Sequence, residues 1–135
     1  MIRQRDELNG SRLAKAVESA KNYLSPAEVT AFLSRIDMAV ANTDPETRLR
    51  KLQEVEKDIL SRLFRHLANI VGFANAPDIR GDTVESHLER MYGYRSRLPQ
   101  SIEEYLKLIR LVEEKNIKFE DLRSRKLEDE AAKKA

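Results

Sequence analysis

Seven apolar residues, Leu49, Leu52, Val55, Ile59, Leu63, Leu67 and Ile70, recur at steps of three or four along one stretch of this chain. Steps of three and four stack side chains on one face of an α-helix, whereas a strand face repeats at every second residue. Leu60, Phe64 and Val71 widen the stripe, and a broad apolar face has to be covered by other elements. If unbroken to Gly72, such a helix is roughly 40 Å long at ~1.5 Å per residue, enough to be flanked by two shorter helices. This segment is therefore expected to be the central element of a helical fold.

The four glycines (10, 72, 81, 93) and four prolines (26, 45, 77, 99) divide the rest of the chain, because proline cannot continue a helix and glycine weakens one. After Gly10, Ser11 is placed to cap a first helix carrying Leu13, Val17, Ala20 and Leu24. "SPAE" follows, with Ser25 as N-cap, Pro26 at the first helical position and Glu28 three residues beyond the cap, a capping box. Its helix should bury Val29, Phe32, Leu33, Ile36 and Val40, end near Asn42, and pack antiparallel to the first. The central helix then opens at Thr43 or Asp44, with Glu46 and Arg50, and Asp58 and Arg62, spaced to pair along its wet side. "GFANAPDIRGD" reads as the longest loop. "DTVE", with Asp82 capping and Glu85 reaching back, starts a short helix with Val84, Leu88 and Met91 inward. "SIEE" opens the last helix at Ser101, with Ile102, Tyr105, Leu106, Ile109 and Val112 on its inner face. From Glu113 to Ala135 seven basic and seven acidic residues replace the apolar ones; Asn116, Phe119, Arg123 and Lys126 fall where the stripe would continue.

No run alternates like a strand, so the expected fold class is all-α: a single-domain bundle of four to five helices, with a long central helix and a charged C-terminal helical extension. The expected organisation is a flexible N-terminus over 1–10, the bundle over 11–115, and a charged helix or tail over 116–135. The length of 135 residues suffices for one core, and 41% hydrophobic with 36% charged residues suits a globular chain with a highly charged surface. There is no cysteine, which removes disulfides, thiolate metal sites and cysteine nucleophiles, and the expected compartment is cytoplasmic. No apolar run reaches the ~20 residues of a membrane span, and the opening "MIRQRDELNG" has no signal-peptide core. The net charge of +2 confines any basic site to a local patch.

No phosphate loop, dinucleotide fingerprint or nucleophile elbow occurs, so no cofactor and no enzymatic activity are expected. His66 sits beside Leu67 on the central helix. His87 has Glu85 and Glu89 two residues away on either side, positions that diverge on a helix and give it no local metal partner.

The composition is unusual in one place, "RMYGYRSRLP" at 90–99. A structural account has Met91 packing inward, Gly93 turning the chain, arginines favouring the negative helix end and Pro99 stopping the connector. A functional account gathers Arg90, Tyr92, Tyr94, Arg95 and Arg97, with Arg80 in support, into a binding patch of a composition common in protein interfaces and able to hold phosphates and bases. The leading functional expectation is a non-enzymatic helical interaction module, an adaptor, assembly subunit or regulator with a protein partner or self-association. The alternative is nucleic-acid binding through that patch. A metal-dependent hydrolase using His66 and His87 is third.

Overall fold

The computed structural model describes residues 9–76 and 78–134, so most of the expected flexible N-terminus, and Pro77 of the expected loop, lie outside the described residues. The described chain is all-helical, with no strand. Its α-helices are α1 (Gly10–Ser19), α2 (Pro26–Val40), α3 (Pro45–Ala68), α4 (Gly81–Tyr92) and α5 (Ile102–Lys134). None of the described helices is long and apolar enough to cross a membrane.

Local chemistry starts most of these helices. At α2, Ser25 Oγ accepts from the Glu28 amide at 3.1 Å and Glu28 Oε1 accepts from the Ser25 amide at 2.9 Å, the reciprocal box expected there. Asp44 starts α3, its Oδ2 accepting from the Thr47 amide and hydroxyl at 3.1 and 2.6 Å. Ser101 Oγ accepts from the Glu104 amide at 3.3 Å at the start of α5. Two starts differ from expectation. Asn9, not Ser11, caps α1, with Oδ1 2.8 Å from the Arg12 amide. At α4 the cap position is Arg80, with no side-chain cap bond; Glu85 instead turns its carboxylate to the Leu98 amide at 3.4 Å.

The central helix also ends sooner than its stripe. Regular α3 stops at Ala68 and continues as a π-helical turn, Asn69–Phe73, in which Gly72 sits at φ 110°, a left-handed conformation that glycine adopts without a β-carbon clash.

The described residues group into two units, one within 1–67 together with 99–106 and the other within 68–98 together with 107–135. In the first, α1 and α2 pack antiparallel at close range: a β-carbon on Gly10, at the start of α1, would come 2.5 Å from Val40 Cγ1 at the end of α2. The core there holds Leu13, Val17, Ile36, Ala39, Leu52, Val55, Ile59 and Leu63, with Ile102, Tyr105 and Leu106 from the first turns of α5. Val40, expected inside, is exposed and Ala39 takes its place. Of the charges expected to pair along α3, Asp58 and Arg62 reach α2 instead: Arg62 Nε meets Glu28 Oε2 at 2.7 Å and Arg35 meets Asp58 at 2.8 Å. In the second unit Val71, Val84, Leu88 and Tyr92 are buried, as are Leu108, Ile109 and Val112 of α5. From Ile117 to Ala132 every residue of α5 is exposed, the charged helical extension that the composition foretells.

Two glutamates of the first unit are displaced in opposite directions. Partial burial pushes the Glu28 carboxyl up, but the Ser25 amide and the Arg62 guanidinium outweigh it and hold it below its ordinary value. Burial pushes the Glu56 carboxyl up, and Glu103 adds repulsion that Arg12, 3.8 Å from Glu103, only partly offsets. The ionised Glu28 therefore stabilises the fold above the ordinary glutamate range, a contribution lost as pH falls through its lowered folded value. For Glu56 the favourable contribution belongs to the protonated form and is lost as pH rises through the raised folded value. Thermal melts should accordingly show Glu56→Gln more stable than the parent at neutral pH and Glu28→Gln less stable by about 1 kcal/mol. Both differences should shrink toward zero below the ordinary glutamate range.

Candidate functional site

The end of α4 is built around a left-handed glycine. Gly93 lies at φ 69°, its amide donating to the Glu89 carbonyl at 3.2 Å, while the next amide, that of Tyr94, reaches back to the Leu88 carbonyl at 3.1 Å. A β-carbon would strain this conformation by ~1 to 2 kcal/mol, which accounts for glycine here. The turn fixes where α4 stops, and its last residues divide sharply: Tyr92 is 8% exposed and Met91 is 51% exposed. The expected inward Met91 is thus corrected, and Tyr92 leaves the expected binding patch for the core.

Tyr92 is held there by a polar bridge. Its hydroxyl donates to Asn116 Oδ1 at 2.5 Å, and Asn116 Nδ2 donates to the Ile70 carbonyl at 2.9 Å in the π-helical turn. Burial pushes the Tyr92 phenol up from its ordinary pKa. Its ring lies 5.7 Å from Phe119 and 6.1 Å from His87, which in turn packs edge-on against Phe73 at 5.2 Å. Asn116 falls on the continuing stripe of the sequence, but the bridging role of its carboxamide is visible only in the structure. The available signal was its position on the inner face of α5, one turn beyond Val112, where an apolar residue would be expected and a polar one needs partners.

The other expected patch residues take separate roles. Arg80 pairs with Asp82 at 3.1 Å at the start of α4, both side chains being well exposed. Tyr94 is half-buried, and its hydroxyl donates to the Arg97 carbonyl at 3.2 Å. Arg90, Arg95 and Arg97 are exposed; among the described residues, none of them has a carboxylate within 4.0 Å. What faces solvent at the helix end therefore includes three arginines and Met91, alongside the exposed Glu89, with Tyr94 tied into the connector beside them.

Two other features were not singled out by sequence reasoning. A cavity of about 330 Å³ in the first unit is lined chiefly by Val40, Pro45, Leu49 and Leu52, with Glu46 and Arg48 supplying charge. In the second unit the exposed part of α5 carries Ile117, Leu122 and Leu127, at 63%, 63% and 60% exposure, and the partly covered Phe119. Phe119 falls where the stripe would continue, whereas the five-residue spacing of Ile117, Leu122 and Leu127 among fourteen charged residues gave no periodic signal to find them by.

His66 of the first unit lies 4.9 Å from the Tyr23 ring, and His87 belongs to the aromatic cluster of the second. Among the described residues no group of three His, Asp or Glu side chains is placed to hold a metal ion. Comparison of the chain with models of protein families, with curated proteins and with solved structures finds no match, so the functional reading rests on the chain's own residues.

Loss of the phenol hydroxyl in Tyr92→Phe strands Asn116 Oδ1 and should cost about 1 to 3 kcal/mol. The double substitution Arg95→Ala, Arg97→Ala removes exposed side chains that have no carboxylate partner among the described residues and should alter stability by no more than about 0.5 kcal/mol. Denaturant titrations of the two variants separate the anchoring tyrosine from the presented arginines.

Proposed function

We propose that this chain is a non-enzymatic interaction module, an adaptor, assembly subunit or regulator that works by presenting a helix to a protein partner. The observation that carries this reading is the exposed stretch of α5, where Ile117, Leu122 and Leu127 stand in solvent on a helix that continues to Lys134. Single exposed apolar residues are ordinary, and these three, spaced five residues apart, each lie about 140° around the helix from the last, so a partner that covered them would have to wrap the segment rather than pack on one face. Each fully buried leucine or isoleucine side chain would contribute about 1.5 to 3 kcal/mol to such an association. The surrounding charges of both signs keep the helix soluble when free and restrict which partners match it.

Nucleic-acid binding is the second reading, supported by the three arginines at the end of α4 that have no carboxylate within 4.0 Å among the described residues. Burial of Tyr92 and pairing of Arg80 with Asp82 count against it, since they remove a stacking ring and one cation from the patch.

The test is the triple substitution Ile117→Ser, Leu122→Ser, Leu127→Ser, followed by cross-linking in the source cell and mass spectrometry of what is captured. Because these side chains are exposed, the variant should keep the parent's core and cooperative unfolding. Proteins cross-linked through α5 in the parent should be lost. Undiminished capture by a folded variant would refute the role of this helix.

A further inference from the structure

We infer that the end of α4 and the connector after it form a docking surface for an acidic protein segment that carries an apolar side chain among its carboxylates. This inference rests on the reading of the chain as an interaction module, and adds a second surface and the chemistry of what it binds.

The first support is the division of "RMYGYRSRLP" into two faces. Tyr92 turns in and is locked by Asn116, which leaves Arg90 and Met91 outward on the last turn of α4. Gly93 then reverses the chain, and the Tyr94 amide bonded to the Leu88 carbonyl brings the connector back along the same helix end. Arg95 and Arg97 follow immediately, so one exposed methionine and three guanidinium groups are gathered within eight residues.

A second support is charge. Among the described residues no carboxylate lies within 4.0 Å of Arg90, Arg95 or Arg97. The carboxylate of Glu85 is directed to the Leu98 amide. The three cations thus remain available to a partner, and guanidinium groups form short, paired hydrogen bonds with carboxylates.

The third support is preorganisation. The Tyr94 hydroxyl bound to the Arg97 carbonyl spans the loop that carries Arg95, and the Leu98 amide bound to Glu85 fixes its exit. A connector tied at both points loses little conformational freedom when it binds, so less of the contact energy is consumed in ordering it.

These features favour a protein segment over a phosphodiester strand. Base stacking needs an exposed aromatic face, and here Tyr92 is buried while Tyr94 is half-buried with its hydroxyl engaged. Exposed Met91, in contrast, offers apolar contact that a phosphate backbone does not use. Methionine and arginine are both enriched in protein interfaces.

The full chain tests this by fluorescence anisotropy with three probes: a peptide alternating glutamates with leucine, an all-glutamate peptide of equal length, and single-stranded oligo-dT. The leucine-containing peptide should bind more tightly than the all-glutamate one, and both should weaken as salt rises. Arg95→Ala with Arg97→Ala should weaken both peptides by about tenfold or more, as loss of charge-assisted bonds predicts. Met91→Ser should weaken only the leucine-containing peptide. Failure of both peptides to bind, or binding unaffected by the arginine substitutions, overturns the inference. Tighter binding of oligo-dT, insensitive to Met91→Ser, overturns it in favour of a nucleic-acid surface. Since none of these substitutions touches Ile117, Leu122 or Leu127, continued cross-linking through α5 alongside peptide failure would defeat this inference alone.

Discussion

The carboxamide of Asn116 holds three segments of the second unit at once: α5, on which it sits, the end of α4 through Tyr92, and the π-helical turn through Ile70. An amide in a partly buried position is stabilising only when both of its ends are satisfied, and leaving one open costs about 1 to 3 kcal/mol. Here the oxygen accepts from a phenol and the nitrogen donates to a backbone carbonyl, so the geometry admits little rotation of any of the three. Much of the unit follows from this. With Tyr92 drawn in, the neighbouring Met91 must point elsewhere, and with the left-handed Gly93 next, the arginines that follow are delivered to the outside.

Where the determinants are local, the sequence was a sufficient guide. Ser25 with Glu28, and Ser101 with Glu104, are side chains that bond backbone three residues away, and they start α2 and α5 as their spacing requires. The left-handed turn at Gly93 is of the same kind. The stripe of α3 from Leu52 to Leu67 is buried because its period is that of the helix itself. The helix extending through the charged C-terminal segment agrees with the reading of that composition as a solvated helix.

What the sequence left open depends on groups far apart in the chain. Met91 and Tyr92 are adjacent, either can serve as the inner residue of a short helix, and apolarity alone favours methionine. The choice is decided by Asn116, which supplies the hydroxyl with an acceptor 24 residues away. Similarly Arg62 and Asp58 are spaced to pair on α3, yet their partners on α2, Glu28 and Arg35, win, because the worth of an exposed pair within one helix is only ~0.2 to 0.5 kcal/mol and is easily exceeded. The candidate patch was legible as a set of residue types but not as a surface, since burial removed Tyr92 and an ion pair engaged Arg80.

The outcome is a division of labour within one short motif, tyrosine as anchor and arginines as presented groups, with Asn116 as the residue that enforces it. Amide hydrogen exchange in Asn116→Leu tests that most directly. The account predicts faster exchange at Gly93, Tyr94 and the α5 amides around position 116, with α1 and α2 exchanging as in the parent. Unchanged protection at the end of α4 in a folded Asn116→Leu protein would contradict it.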